Sequence, residues 1–160
     1  MARRRRLRLL VLDVDGVLTD GRLFYGPRGE TLKAFHVRDG HGIKQLLARG
    51  VEIAVISGRR STAVAKRCHE LGIRYVFQGV DDKLACFEKL RARLGCSAAE
   101  CGAIGDDTPD APLLQRVGHS FAVADAHRDA QDAAGYITRS RGGHGAVREV
   151  CDWLLSEQLA

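Results

Sequence analysis

The chain has no apolar run long enough to cross a membrane, no C-x-x-C pair, no internal repeat, no low-complexity tract and no interdomain linker. Each absence removes a class of protein. Without a long apolar run there is no transmembrane span, and Asp13 breaks the only oily stretch behind the N-terminal arginines too early for a secretion signal. Five cysteines, Cys68, Cys86, Cys96, Cys101 and Cys151, make an odd count, and no histidine is spaced to complete a zinc site. They read as reduced thiols of a cytoplasmic protein, mostly small core fillers, and nothing supports a catalytic cysteine. At 160 residues, 45% of them hydrophobic, the chain fits one domain over residues 1–160 and has no room for a second. The net charge of +5 gathers in Arg3 to Arg6 and Arg8. A basic segment of this kind, residues 1–8, suits nucleic acid or an anionic surface, and equally a solvated terminus.

What is present is an alternation. LRLLVLDV, VEIAVIS, YVFQGV, CGAIG, HSFAVAD and YITR have the near-continuous apolar character of strands covered on both faces. GIKQLLARG, STAVAKRCHELG, DKLACFEKLRARLG, DAPLLQRVG and GAVREVCDWLLSEQL have helical periodicity, with Ser61 and Ser97 as N-caps and Gly50, Gly72 and Gly95 as stops. This pattern predicts an α/β fold, a doubly wound Rossmann-like parallel sheet. One segment, about 21–37, departs from it: two short β-like runs flank the turn Gly26-Pro27-Arg28-Gly29 and predict a projecting β-hairpin.

The polar residues fall at strand ends. Asp13 and Asp15 follow the first core strand in VLDVDGVLTDG, Ser57 the second in ISGR, Lys83 the third in VDDKL, and Asp106, Asp107 and Asp110 the fourth in GDDTPD. In an open α/β sheet the carboxyl ends of the strands line one ligand crevice, so these groups should meet. Singly, each has an ordinary explanation as a turn, cap or solvated residue. Together, the carboxylates would repel and shift one another's pKa unless a cation neutralised them. Oxygen ligands without His or Cys point to a hard ion, Mg2+. A hard ion, an ammonium and a hydroxyl beside carboxylates form a phosphate site, where one Asp can attack phosphorus and its neighbour can move protons.

These four motifs, in this order, resemble those of the haloacid dehalogenase superfamily of phosphatases, from about Leu9 to the end of the chain. The resemblance implies that Asp13 is the nucleophile, Asp15 the general acid and base, Ser57 a phosphoryl ligand and Lys83 the charge neutraliser. It further implies Mg2+ held by the Asp13 carboxylate, the Asp15 carbonyl and Asp106, with Asp107 and Asp110 shaping the acidic loop. LTDGRLFYGPRGETLKAFHVRDGHGIKQL, QGVDDKL and RGGHGAVREV are similar to the branch acting on 3-deoxy-D-manno-octulosonate (Kdo) 8-phosphate, in lipopolysaccharide biosynthesis. A sister branch acts on nine-carbon keto-deoxy acid 9-phosphates and tends to carry an acidic residue where this chain has Arg59, whose guanidinium can pair with a sugar carboxylate. Thr108 and Ala111 depart from the bulkier apolar residues of relatives and bear on local packing.

Neither gap between motifs has room for a cap domain, so the resemblance implies a capless fold in which subunits of a homotetramer cover one another's clefts through the hairpins. Leu23, Phe24, Tyr25 and Phe35 suit such an interface, or pack back on their own domain. His36, Gly58, Arg59, Arg60 and Arg67 are candidates for the sugar end. So are the tail residues Arg139, Arg141, Gly142, Gly143, His144, Gly145 and Arg148, whose glycines permit close approach to a neighbouring cleft. Two other readings stay open: a capless phosphatase for a nucleic-acid end, and a receiver-like switch phosphorylated on Asp. The second has no use for Asp15.

Overall fold

The computed structural model describes residues 6–159. Leu9–Leu12 form β1, buried on both sides at the centre of the sheet. After it come the hairpin strands β2 (Phe24–Gly26) and β3 (Gly29–Leu32), then α1 (Val37–Ala48), β4 (Glu52–Ser57), α2 (Thr62–Leu71), β5 (Tyr75–Gln78) and α3 (Lys83–Leu94). The second half adds β6 (Cys101–Gly105), α4 (Ala111–Arg116), β7 (His119–Ala122), α5 (Arg128–Ala133), β8 (Tyr136–Ile137) and α6 (Ala146–Leu159). The main sheet runs β5-β4-β1-β6-β7-β8, parallel throughout. This is the doubly wound α/β sheet that the alternation predicts.

Period-two alternation divides each central strand between two apolar layers. Leu10 and Leu12 of β1 join Ile53, Val55 and Ile104 in the layer that takes in α1 and α6. Leu9 and Val11 join Ala54, Ile56 and Ala103 in the layer beneath α3 and α4. Full burial of each Leu or Ile contributes about 1.5–3 kcal/mol, which anchors the strand ends firmly. Register then aligns those ends: Leu12 lies opposite both Val55 and Ile104. Asp13, Ser57 and Asp106 therefore leave the sheet within one residue of the same level.

Several local expectations shift. Helix α1 begins at Val37, capped by the His36 ring, five residues before Gly42, because the polar VRDGH turn continues into the amphipathic run. The α5 segment RDAQDA was not expected to be helical; Ala130 is its buried residue, so the sequence carries almost no periodic signal there. Ser61 caps α2 without a side-chain bond, and its N–H donates instead to the Gln78 amide oxygen at 2.7 Å. Ser97 caps a short 3-10 turn, Ala98–Glu100. Strand β8 is only two exposed residues.

The hairpin closes at Pro27 and Arg28 with Gly26 opposite Gly29, where a φ of 106° needs glycine. Leu23, Phe24, Tyr25 and Leu32 are exposed on it. Phe35 differs from that set and packs against the core of its own domain. Of the basic N-terminal run, Arg3, Arg4 and Arg5 lie outside the described residues. Arg6 donates to the Arg49 carbonyl at 3.1 Å, and Arg8 donates to the Gly95 and Leu94 carbonyls at the end of α3, at 2.8 and 3.1 Å. Among the described residues no helix is long and apolar enough to cross a membrane.

Candidate active site

Beyond Leu12 the chain folds into a tight loop. Val14 C=O accepts from Val17, Leu18 and Thr19 N–H, and the buried Thr19 hydroxyl accepts from Gly16 and Gly21 N–H at 3.3 and 3.2 Å. Gly16 has φ 87°, and a Cβ there would overlap the Asp106 carboxylate. The absence of that one atom lets the Asp15 loop lie directly on the acidic end of β6.

A cleft of about 450 Å3 opens at this edge, lined by Asp13, Asp15, Ser57, Arg59, Lys83 and Asp106, together with Gly58, Asp107 and Asp110. Lys83, buried at the first turn of α3, reaches Asp13 at 2.9 Å and Asp110 at 2.7 Å. Asp110 has both oxygens engaged: Oδ1 accepts from Lys83 and Oδ2 from the N–H groups of Asp106 and Asp107, at 2.9 and 3.2 Å. It braces the loop from beneath, while Asp107 caps the short turn Thr108–Asp110. Ser57 is buried, and its Oγ accepts from Arg59 N–H at 3.4 Å.

The electrostatics are those of a cation site. Burial, then the neighbouring Asp110, raises the Asp13 pKa to about 6 against the opposing pull of Lys83. Burial and Asp13 raise Asp106 to about 9. Burial opposes the Lys83 charge, but Asp13 and Asp110 outweigh it and hold the ammonium firmly protonated. Carboxylate oxygens of Asp13, Asp106 and Asp110 lie within 4.8 Å of one another. An all-oxygen donor set that keeps protons in place of a cation suits Mg2+.

Other candidates have tasks elsewhere. His36 caps α1 and lines a separate cleft with His144, Gly145 and Arg148. Arg67 lies over Gly40 and pairs with Glu70 at 3.5 Å, and Arg60 packs over Gly79. In the tail, Glu149 gathers the N–H groups of Arg139 and Ser140, and the exposed Arg141 offers its carbonyl to His144 N–H. Gly142 and Gly143 press on their own chain: a Cβ on Gly142 would overlap the Gly16 carbonyl, and one on Gly143 the backbone of Thr19 and Asp20. Their glycine requirement is thus met within the subunit, at the back of the Asp15 loop. Burial pushes the thiols of Cys101 and Cys151 up to about 12 and that of Cys68 to about 11, which disfavours the nucleophilic thiolate at these three.

Three residues of the site have no counterpart in the sequence reading of the sugar end. Lys33 donates to Asp15 Oδ1 at 2.6 Å and to Glu30 at 3.1 Å. Arg59 reaches Glu30 at 3.1 Å, the Tyr25 hydroxyl at 3.3 Å and Asp15 at 3.7 Å. Lys33, Glu30 and Tyr25 all belong to the hairpin arm, and a lone lysine in ETLKAF gives no local sign that it reaches a carboxylate 18 residues away.

The sheet, the hairpin behind its first strand and the acidic rim define a haloacid dehalogenase-like hydrolase, and the model of that family matches residues 76–150. The chain is 49% identical over 158 residues to the 3-deoxy-D-manno-octulosonate 8-phosphate phosphatase KdsC of Escherichia coli (strain B / BL21-DE3), covering 99% of this chain and 84% of the relative. The crystal structure of the corresponding phosphatase from Yersinia pestis superposes with a TM-score of 0.92 at 48% identity, over 95% of this chain and 82% of the other. That from Moraxella catarrhalis, solved in complex with magnesium ion, phosphate ion and a KDO molecule, superposes with a TM-score of 0.91 at 41% identity, over 94% and 86%. The chain belongs to the 3-deoxy-D-manno-octulosonate 8-phosphate phosphatase family.

Proposed function

We propose that this protein hydrolyses 3-deoxy-D-manno-octulosonate 8-phosphate to Kdo and phosphate, a step of lipopolysaccharide biosynthesis. The observation that carries the proposal is the cleft itself, where Asp13, Asp15, Lys83 and Asp106 converge in a chain that matches such phosphatases over nearly its whole length. Asp13 attacks phosphorus, the bond to the sugar oxygen breaks, and Asp15 gives that oxygen its proton. Water then attacks the phosphoaspartate, Asp15 takes the proton, and phosphate leaves. Lys83 offsets charge beside Asp13, and the Ser57 hydroxyl donates to a phosphoryl oxygen. The Asp13 carboxylate, the Asp15 carbonyl and Asp106 would hold Mg2+, which when bound neutralises phosphate charge. Arg59 faces the sugar acid, which favours the eight-carbon substrate over the nine-carbon one.

We further propose a homotetramer in which hairpins meet and neighbouring subunits close the clefts. Exposed Leu23, Phe24, Tyr25 and Leu32 support it, since an arm without its own core gains from burying them. The five free thiols suit a reducing compartment, and we place the enzyme in the cytoplasm. The test is phosphate release, with Mg2+, from Kdo 8-phosphate, a nine-carbon keto-deoxy acid 9-phosphate, hexose phosphates and a 3'-phosphorylated oligonucleotide. Kdo 8-phosphate is expected to lead by its kcat/KM, and equal turnover of all the sugars sinks the assignment.

A further inference from the structure

The Lys33 side chain is 2% exposed although it stands on an arm that otherwise displays its apolar residues to solvent. Sequestering an ammonium costs several kcal/mol unless it is paired, so its burial on a coreless hairpin needs a cause. Two carboxylates provide it: Asp15 Oδ1 at 2.6 Å and Glu30 Oε2 at 3.1 Å. Arg59 reaches the same Glu30 oxygen, Oε2, also at 3.1 Å, so the two cations share it. The chain of contacts thus runs from Arg59 on the core domain through Glu30 and Lys33 on the hairpin to the Asp15 carboxylate.

The contacts treat the two Asp15 oxygens differently. Lys33 fixes Oδ1, while Oδ2 faces Arg59 Nε at 3.7 Å, beyond a direct hydrogen bond. A carboxylate that must first give a proton to a leaving oxygen and then take one from water needs a free oxygen at hydrogen-bond reach of both. Locking the other oxygen removes rotational freedom that would carry it out of reach, and misplacement by about 1 Å is enough to cost two orders of magnitude in rate.

We propose that Lys33 is a positioning residue for Asp15, pinning one carboxylate oxygen so that the other is presented to the leaving group and then to water, with Glu30 as its brace. The inference rests on the phosphatase reading above. It makes the hairpin part of the acid–base apparatus as well as a surface for assembly.

Lys33→Met keeps the side-chain length without the charge, and leaving-group dependence separates positioning of Asp15 from general damage. For Kdo 8-phosphate, whose sugar oxygen needs a proton, kcat is expected to fall by about 30-fold or more with KM within about twofold, a share of the roughly 10²- to 10⁴-fold contributed by a placed acid–base group. For p-nitrophenyl phosphate, whose leaving group needs no proton, the first turnover should slow by no more than about threefold and be followed by slow steady release, a burst of about one nitrophenolate per site. Lys33→Arg should recover part of kcat. Equal losses on both substrates in the first turnover, absence of a burst, or unchanged activity would overturn the proposal. If Lys33→Met does not fold, Glu30→Gln, which loosens the brace and leaves the Lys33 contact with Asp15, must give the same pattern at smaller size. A wild-type protein that hydrolyses p-nitrophenyl phosphate and some alkyl phosphates but not Kdo 8-phosphate sinks the substrate assignment alone, and Lys33 is then tested on the alkyl phosphate it accepts.

Discussion

The two walls of the cleft differ in what stands behind them. On the sheet side, Asp13, Lys83 and Asp110 project from elements backed by two apolar layers, and the Lys83 contacts at 2.9 and 2.7 Å are nearly closed to water. On the hairpin side, the Asp15 and Glu30 side chains are 20% and 17% exposed, Arg59 is 42% exposed, and the hairpin, with Glu30 on β3 and Lys33 just beyond it, has no core of its own. The sheet wall can hold its geometry within one subunit. The hairpin wall has its lysine braced by ion pairs but its outer face uncovered, so its precision depends on what covers it. In the proposed reaction, phosphate and metal chemistry fall to the first wall, and proton transfer and sugar selection to the second.

The sharpest division of the walls is between their two carboxylates, and removing each should fail differently. Asp13→Asn should lose turnover by at least about 10³-fold with no phosphoenzyme formed, because an amide replaces the proposed attacking carboxylate. Asp15→Asn should still accept a phosphoryl group from an activated ester and hold it, visible as label retained on the protein after rapid quench. Unchanged activity in either variant refutes the role given to that residue.

A smaller effect is expected on the hairpin. Phe24 and Leu32 lie opposite one another across it, 36% and 52% exposed. Phe24→Asp with Leu32→Asp should dissociate the proposed tetramer in sedimentation velocity and raise KM for the sugar phosphate about 10-fold, about 1.4 kcal/mol of lost binding, while each subunit still melts cooperatively. If the doubly substituted protein sediments as the wild type does and keeps its KM, the hairpin is not the interface.

The same contrast explains what was legible in the sequence. Strands β1, β4 and β6 announce themselves as apolar runs because both faces are covered, and the polar residues that end them stand out against that background. Their parallel register then brings Asp13, Ser57 and Asp106 together with little further information. The hairpin wall has no such background. Lys33 and Glu30 look like the solvated charges of any short strand, and their contacts with Asp15 and Arg59 join residues 18 and 29 positions apart. Among the proposed sugar ligands, Arg67 and His36 are of a chemical type that helix packing and capping also employ, as Arg67 does over Gly40 in mid-α2 and His36 at the N-cap of α1. A glycine-rich tail permits close approach, but that Gly142 lies against the Gly16 carbonyl of its own chain is something no spacing rule specifies.

The smallest effect tests whether the sheet wall alone makes the cation site. In the cation-free protein Asp13 and Asp106 are raised to about 6 and about 9, chiefly by burial, from an ordinary 3.8. At these two sites the folded state keeps protons that the unfolded chain has released, so their contribution to stability falls as pH rises from 3.8 through about 9. Mg2+ needs those carboxylates ionised, so its binding expels the protons and tightens with rising pH. In chelator the melting temperature should decline across this window. Millimolar Mg2+ should oppose the decline, raising the melting temperature by about 2–4 °C more at pH 8.5 than at pH 6. Asp106→Asn should flatten the part of the chelator slope above about pH 6, where Asp13 has already ionised, and shrink the Mg2+ shift with it, since Asp106 contributes to both. An equal Mg2+ shift at the two pH values would mean that the ion sits on carboxylates already ionised, away from Asp13 and Asp106. Lys33→Met should leave this pH-dependent difference intact, because the brace on Asp15 belongs to the other wall.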